Sequence, residues 1–326
     1  MISPLRALVI GATGLIGNAL VRAWERRGAE VVGCDHRCLP SGPFIPLDFT
    51  QDGRLAAILK EVRPAVVAVP AANPHVDFCE AHPEQTRKVN VEAPAMAARL
   101  CSEARACMVF YSSDYVFDGG QPSYGEDDPV SPVNEYGRQK AEAERAVLAA
   151  GKHLVIRSSG VYGWQWVPKN FVLQVLRALS SGERLRVAHD IRYNPTSAEN
   201  LAEVTAELCS RGASGIFNVV GVDRLARAEF ARRVARVFGL AESLIEAVPS
   251  AELSALSGIG GLPPSGGPAP LRQAQRPKES SLRTDKARAL LRLPLWGAVE
   301  GLSDMLRRRA AWEEYARLSL PTPGSF

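Results

Sequence analysis

The sequence predicts an α/β fold: a doubly wound parallel sheet followed by a smaller C-terminal lobe. Three observations carry this. Apolar runs of strand length alternate with amphipathic stretches of helix length from Ala7 to Arg157. A glycine-rich turn, Gly11-Ala12-Thr13-Gly14-Leu15-Ile16-Gly17, follows the first apolar run without a gap. An acidic residue, Asp35, closes the second run. Strands that alternate with helices are joined by crossovers, and crossovers of one hand lay the strands parallel with helices on both faces.

Taken in order, Ala7 to Ile10 reads as a buried strand and Asn18 to Arg27 as an amphipathic helix closed by Gly28. Glu30 to Gly33 is a second strand that ends at Asp35. This is a βαβ unit of Rossmann type. Glycines at 11, 14 and 17 permit a tight turn, close approach of backbone to a pyrophosphate, and close packing of helix on strand. The unpaired N–H groups at the helix start face the same anion. The spacing is G-x-x-G-x-x-G, which differs from the G-x-G-x-x-G of ordinary two-domain dehydrogenases. Ala65 to Val69 is the third strand, Pro83 to Ala104 a long helix, Met108 to Tyr111 the fourth strand, Glu135 to Ala150 a helix, and Leu154 to Arg157 the fifth strand. Ligands of such sheets bind beyond the carboxyl ends of the strands, where the glycine turn, Ala71-Ala72-Asn73 and Ser112-Ser113-Asp114 all fall. Residues 1–163 therefore form the dinucleotide-binding domain. The pattern then loosens: 164–326 is read mainly as a substrate lobe, with a helix from Lys169 to Leu179. Ser197 to Cys209 and Ile216 to Val219, within 197–222, return to the first domain. The Gly- and Pro-rich stretch from Gly258 to Pro270 reads equally as a mobile loop over the substrate lobe or as an exposed insertion.

Composition narrows the function classes. A net charge of +4 is mild, and arginines such as Arg22, Arg26 and Arg27 scatter along helices as solvated faces do. No concentrated basic stripe or nucleic-acid motif is present. No apolar run approaches the ~18 residues of a membrane span. The six cysteines include no C-x-x-C pair and read as reduced, mostly buried thiols. A soluble cytoplasmic enzyme with no metal, acting on a small molecule and assembling as a homodimer, is the expectation.

The chemistry concentrates in Tyr136-Gly137-Arg138-Gln139-Lys140, with Ser113 upstream. At about 3.6 residues per turn, positions four apart share a helix face, so an ammonium sits beside a phenol and favours its phenolate. A free phenol titrates near pH ~10, and a lysine cation brings it toward useful acid/base work. A Tyr and a Lys at this spacing are common on solvated helices. The glycine turn and Ser113 are what single this pair out.

The glycine spacing, Ser112-Ser113-Asp114-Tyr115-Val116-Phe117-Asp118-Gly119, Asn134-Glu135-Tyr136-Gly137-Arg138-Gln139-Lys140, and Arg276-Pro277-Lys278 resemble the extended short-chain dehydrogenases/reductases. Within these, the chain looks most like dTDP-4-dehydrorhamnose reductases and their relative, the regulatory beta subunit of methionine adenosyltransferase. The resemblance is dense from Met1 to Gly163 and thinner after it, at Asn170-Phe171, Asn194-Pro195-Thr196 and Arg276-Pro277. It implies hydride delivery from NADPH or NADH to a keto group of a nucleotide sugar. Tyr136 would protonate the alkoxide, Ser113 would polarise the oxygen, and Lys140 would tune Tyr136 and hold the nicotinamide ribose. The candidate cofactor contacts are Gly11, Thr13, Gly14, Leu15, Ile16 and Gly17 in the turn, then Asp35, His36 and Arg37, Asp48 and Phe49, Ala71, Ala72 and Asn73, Asn90, Ser112, Tyr136 and Lys140. The candidate substrate contacts are Ser113, Asp114, Tyr115, Asn170, Arg192 and Arg276.

Several positions shape the expected specificity. Asp35 accepts from ribose hydroxyls and favours NAD, whereas His36 and Arg37 favour a 2′-phosphate, so dual use is expected. The related 4,6-dehydratases carry Asp-Glu where this chain has Asp114-Tyr115, which removes one proton carrier for water elimination and favours reduction. The reductases usually carry a Trp where this chain has Gly160, and Trp164 or Trp166 is the candidate to replace that ring. Arg192 stands where a Gln is usual. An epimerase, or a cofactor-binding regulatory subunit without turnover, are the alternative readings of the same resemblance.

Overall fold

The structure, a computed structural model, describes residues 5–36, 44–167, 169–253 and 274–319. Arg37 and the Gly258 to Pro270 stretch lie outside the described residues. The first half runs β1 (Arg6–Ile10), α1 (Leu15–Arg26), β2 (Glu30–Asp35), β3 (Ile45–Pro46), α2 (Asp52–Val62), β4 (Val66–Val69), α3 (Val76–Ala81), α4 (Pro83–Arg87), a π-helical turn at Lys88–Glu92, α5 (Ala93–Glu103), β5 (Cys107–Ser113), α6 (Glu135–Ala150) and β6 (Leu154–Ser158). The second runs β7 (Val161–Tyr162), α7 (Phe171–Ser180), β8 (Leu185–Ala188), β9 (Arg192–Tyr193), β10 (Thr196–Ser197), α8 (Ala198–Ser210), β11 (Gly215–Asn218), β12 (Leu225–Ala226), α9 (Arg227–Val237), β13 (Ile245–Val248), α10 (Ser250–Leu253), α11 (Asp285–Leu290), α12 (Ala298–Arg307) and α13 (Arg309–Ser319).

Seven strands form one parallel sheet in the order β11-β6-β5-β4-β1-β2-β3. The predicted doubly wound sheet is therefore present, and its order reverses between β1 and β4, which opens the crevice where such sheets take ligands. Alternation along each strand feeds two cores. Ala7 and Val9 pack with Leu20, Trp24, Ile156 and Leu201 on one face, and Leu8 and Ile10 with Ile58, Met108, Phe110 and Val147 on the other. β11 pairs with β6 from Gly215 to Asn218, and α8 packs on α1 beneath it. A third apolar cluster, around Tyr162, Val172, Val175, Phe230, Val234 and Leu302, gathers α7, α9 and α12. Among the described residues no helix is long and apolar enough to cross a membrane.

The predicted helix from Pro83 to Ala104 is interrupted. Pro94 has no N–H with which to continue the α-ladder, and Ala93 donates to the Lys88 carbonyl five residues back, so the helix widens into a π turn around Asn90. α1 begins at Leu15, earlier than the periodicity places it, because Gly14 serves as its N-cap.

Candidate active site

The glycine turn is built by backbone packing. Gly14 N–H donates to the Gly11 carbonyl at 3.0 Å, and a Cβ on Gly17 would lie 2.0 Å from that same oxygen. Only glycine lets α1 seat this closely on the loop. No side chain caps α1 and no acidic residue occupies its first turn, which leaves its first N–H groups free for an anion. Leu15 and Ile16 open the helix half-buried against the sheet. Beside the turn, Asp35 is 7% exposed and accepts from Thr13 N–H at 3.1 Å and Thr13 Oγ1 at 2.7 Å. His36 is exposed.

Across the crevice, the loop after β4 is pinned from the π turn. Asn90 is fully buried; its Oδ1 accepts from Asn73 N–H at 2.8 Å, and its Nδ2 donates to the Asn73 carbonyl at 3.2 Å and to Gln139 Oε1 at 2.9 Å. The widened turn thus links Ala71-Ala72-Asn73 to α6. At the sheet edge, Asp48 closes its own turn by accepting from Thr50 Oγ1 at 2.6 Å, a bond that lowers its pKa, and Phe49 is buried beside it. Ser112 Oγ is buried at the end of β5 without a hydrogen-bond partner, an orphan hydroxyl that a bound group could satisfy.

Tyr136, Lys140 and Ser113 come together because α6 packs tightly on the turn after β5. A Cβ on Gly137 would lie 2.0 Å from the Tyr115 carbonyl, so the glycine between Tyr136 and Arg138 sets the approach. Asn134 caps α6 by accepting from Gly137 N–H at 2.9 Å. Lys140 is buried and donates to the Tyr111 carbonyl at 2.8 Å, with Nζ 4.7 Å from the Phe110 ring centroid and 5.8 Å from that of Tyr136. Burial pulls its pKa down to about 8, against the opposing pull of Glu144 one turn on. The Tyr115 ring meets the Tyr136 ring edge-on at 6.2 Å.

The expected depression of the Tyr136 pKa is not what this geometry gives. Burial, then the Asp114 charge, push the phenol well above its usual range, and the Ser113 hydroxyl opposes them only in part. Lys140 is itself desolvated and bound to a carbonyl. Ser113 Oγ donates to Asp114 Oδ1 at 2.9 Å and accepts from Tyr115 N–H at 3.2 Å. Asp114 is a buried hub: Ser159 Oγ donates to it at 2.7 Å and Ser280 Oγ at 2.5 Å, while burial raises its pKa. Neither Ser159 nor Ser280 stands out in the sequence, because a lone hydroxyl carries no periodic signal.

The remaining candidates hold the lobe together. Asn170 caps α7 by accepting from Leu173 N–H at 3.3 Å and donates to the Gly163 carbonyl at 2.8 Å. Arg192 is half-exposed and 3.3 Å from Glu229. Arg276 grips Asp77 on α3 through two bonds of 2.6 and 2.7 Å, and Asp77 also accepts from Ala274 N–H at 3.0 Å. Burial raises the Asp77 pKa, but the guanidinium more than offsets it, so the carboxylate stays ionised. The strap that carries Arg276 continues to Ser280 on Asp114 and to Leu282, whose N–H donates to Asn194 Oδ1 at 2.8 Å. Trp164 does not replace the ring absent at Gly160: its Nε1 donates to the Met305 carbonyl at 2.7 Å and its ring packs on Phe238. Trp166 packs against Trp312. Five described cysteines are free thiols, Cys34, Cys79 and Cys101 among them fully buried; Cys38 lies outside the described residues. Among the described residues no group of three or more His, Cys, Asp or Glu side chains is placed to hold a metal ion.

The chain as a whole is similar to proteins of known family. The sequence profile of the RmlD substrate binding domain matches residues 5–310. The probable low-salt glycan biosynthesis reductase Agl14 of Haloferax volcanii is 34% identical over 76% of this chain and 85% of its own length. The dTDP-4-dehydrorhamnose reductase of Escherichia coli is 31% identical over 90% and 94%. The beta subunit of methionine adenosyltransferase 2 of Xenopus laevis is 30% identical over 73% of each. A crystal structure of dTDP-4-dehydrorhamnose reductase from Bacillus anthracis in complex with NADP superposes with a TM-score of 0.82 at 23% identity, covering 94% of this chain and all of that one.

Proposed function

Because the chain belongs to the RmlD substrate binding domain family, we propose that it is an NAD(P)H-dependent oxidoreductase that reduces a keto group on a nucleotide-activated sugar. The observation that carries this reading is the clustering of Tyr136, Ser113 and buried Lys140 at the carboxyl end of β5, in the same parallel sheet whose β1 ends in the glycine turn. The residues present fit a dinucleotide. The open first turn of α1 takes a diphosphate, the orphan Ser112 hydroxyl and Lys140 lie on the nicotinamide side, and Asp35 stands at the end of β2 for a ribose. When bound, the reduced nicotinamide supplies the hydride.

The chain's own groups handle the proton. A phenol with a raised pKa is fully protonated at neutrality, and an alkoxide is basic enough to take its proton. Ser113 donates to Asp114 in this structure, so polarising a substrate oxygen requires that hydroxyl to exchange Asp114 for the substrate. Tyr115 meets Tyr136 edge-on at the position where a dehydratase would offer a carboxylate, which favours reduction over water elimination. Residues 1–163 with 197–222 hold the cofactor in this reading, and the rest, Arg192 included, holds the nucleotide sugar.

The likeness to methionine adenosyltransferase beta subunits favours a second reading, a cofactor-binding partner without turnover. Incubation with a dTDP-4-keto-6-deoxyhexose and NADPH or NADH separates these and the epimerase reading. Stoichiometric cofactor oxidation with formation of the hydroxy sugar supports the reductase. Isomerised sugar without oxidation makes the protein an epimerase, and tight cofactor binding with unchanged sugar makes it a regulatory subunit.

A further inference from the structure

Gly160, where related reductases carry a Trp, adopts φ +49°, and a Cβ built there would lie 2.1 Å from Cε2 of Tyr193. The ring missing from position 160 is thus replaced in space by a ring from β9. Tyr193 is 6% exposed, and the guanidinium of Arg227, the first residue of α9, lies over it with the carbon 5.6 Å from the ring centroid. Register brings the two together: Leu225 pairs with Tyr193, and Ala226 with Arg192.

Arg227 differs from the arginines around it. Arg192 pairs with Glu229, Arg224 with Glu279, Arg233 with Asp223 and Arg276 with Asp77. Among the described residues Arg227 has no carboxylate within ion-pairing distance, and its buried Nε has no hydrogen-bond partner. A guanidinium held over an aromatic ring can present paired N–H donors to a planar or tetrahedral oxyanion. The buried Asp114 carboxylate feels this charge without pairing with it, and the unpartnered Nε–H is left for a ligand to complete.

We propose that Arg227, shelved on Tyr193, is a binding point for an oxyanion of the substrate, either the diphosphate of the nucleotide sugar or a carboxylate on its sugar. The proposal rests on the reading of the protein as a nucleotide-sugar enzyme. Titration calorimetry of the NADP-saturated protein with dTDP, UDP-glucose and UDP-glucuronic acid tests it. If the diphosphate is the partner, Arg227→Met weakens all three by about ten- to a hundredfold. If the carboxylate is the partner, UDP-glucuronic acid alone weakens by that factor. Arg227→Lys restores part of the loss, because an ammonium keeps the charge without the fork. Arg227→Gln, equally uncharged, serves if the Met variant does not fold, and NADP affinity stays constant throughout. Unchanged affinity for all three nucleotides in the Met or Gln variant overturns the subsite alone. A wild-type protein that binds none of them overturns the subsite and the nucleotide-sugar reading together.

Discussion

Tyr136 carries a phenol whose proton is held by burial and by the nearby Asp114 charge. Tyr136→Phe removes the hydroxyl and keeps the ring that meets Tyr115. Turnover is expected to fall by ~10²–10⁴ with NADPH affinity retained, read from steady-state rates and a fluorescence titration. Lys140 is expected to set the upper pH limit of turnover. Its ammonium, with a pKa pulled down from 10.5 to about 8, is lost as pH rises through that value, so turnover declines above about pH 8. Its linkage to stability has the opposite sign. Between about 8 and 10.5 the unfolded chain binds the proton that the folded chain has released, so this group's contribution to stability rises with pH there. A turnover profile and urea unfolding of wild type and Lys140→Met across that window measure both. A decline at the same pH in Lys140→Met would assign it to another group.

Elements position these residues through close approaches that leave little tolerance. Gly137→Ala puts a Cβ 2.0 Å from the Tyr115 carbonyl, so α6 has to withdraw from the turn that carries Ser113. Overpacking of this kind costs about 1–3 kcal/mol in urea unfolding, and turnover should drop further than a stability loss at a distant site would cause. The sheet, the glycine turn and α6 were legible in the sequence because each writes a period or a fixed spacing: alternation along β1, glycines at 11, 14 and 17, and a Tyr/Lys pair one turn apart. The π turn was not, since Lys88 to Glu92 keeps helical periodicity and only Pro94 hints that the ladder changes. Nor was the replacement of the ring at 160 by Tyr193. The pattern of β9 is two residues long and says nothing of which strand its ring will reach.

At the scale of the whole molecule, the strap from Ala274 to Arg283 joins the lobe to the crevice at three places: Asp77, Asp114 and Asn194. These contacts join residues far apart in the sequence, and single polar residues carry no long-range signal. Hence the sequence marks Arg276 as a substrate contact, whereas the structure commits its fork to Asp77 on α3, next to the loop that Asn90 pins. Arg276→Ala leaves the Asp77 carboxylate without its cation and loosens the strap. We expect a loss of about 1–3 kcal/mol in stability and a raised KM for the sugar nucleotide. Charge-reversed Asp77→Arg with Arg276→Asp should recover part of both. An unchanged KM in Arg276→Ala would show that the strap does not order the substrate side.

In the proposed reaction a hydride moves to a sugar carbonyl while Tyr136 supplies the proton. Isotope transfer measures it most directly: NADPH deuterated at the transferable nicotinamide position is incubated with a dTDP-4-keto-6-deoxyhexose and either wild type or Tyr136→Phe, and the sugar is analysed by mass spectrometry. Deuterium is expected at the former carbonyl carbon in equimolar ratio to the NADP formed, with the Phe variant slower by the factor given above. Bound NADPH that stays reduced, or a sugar returned without label, would contradict it.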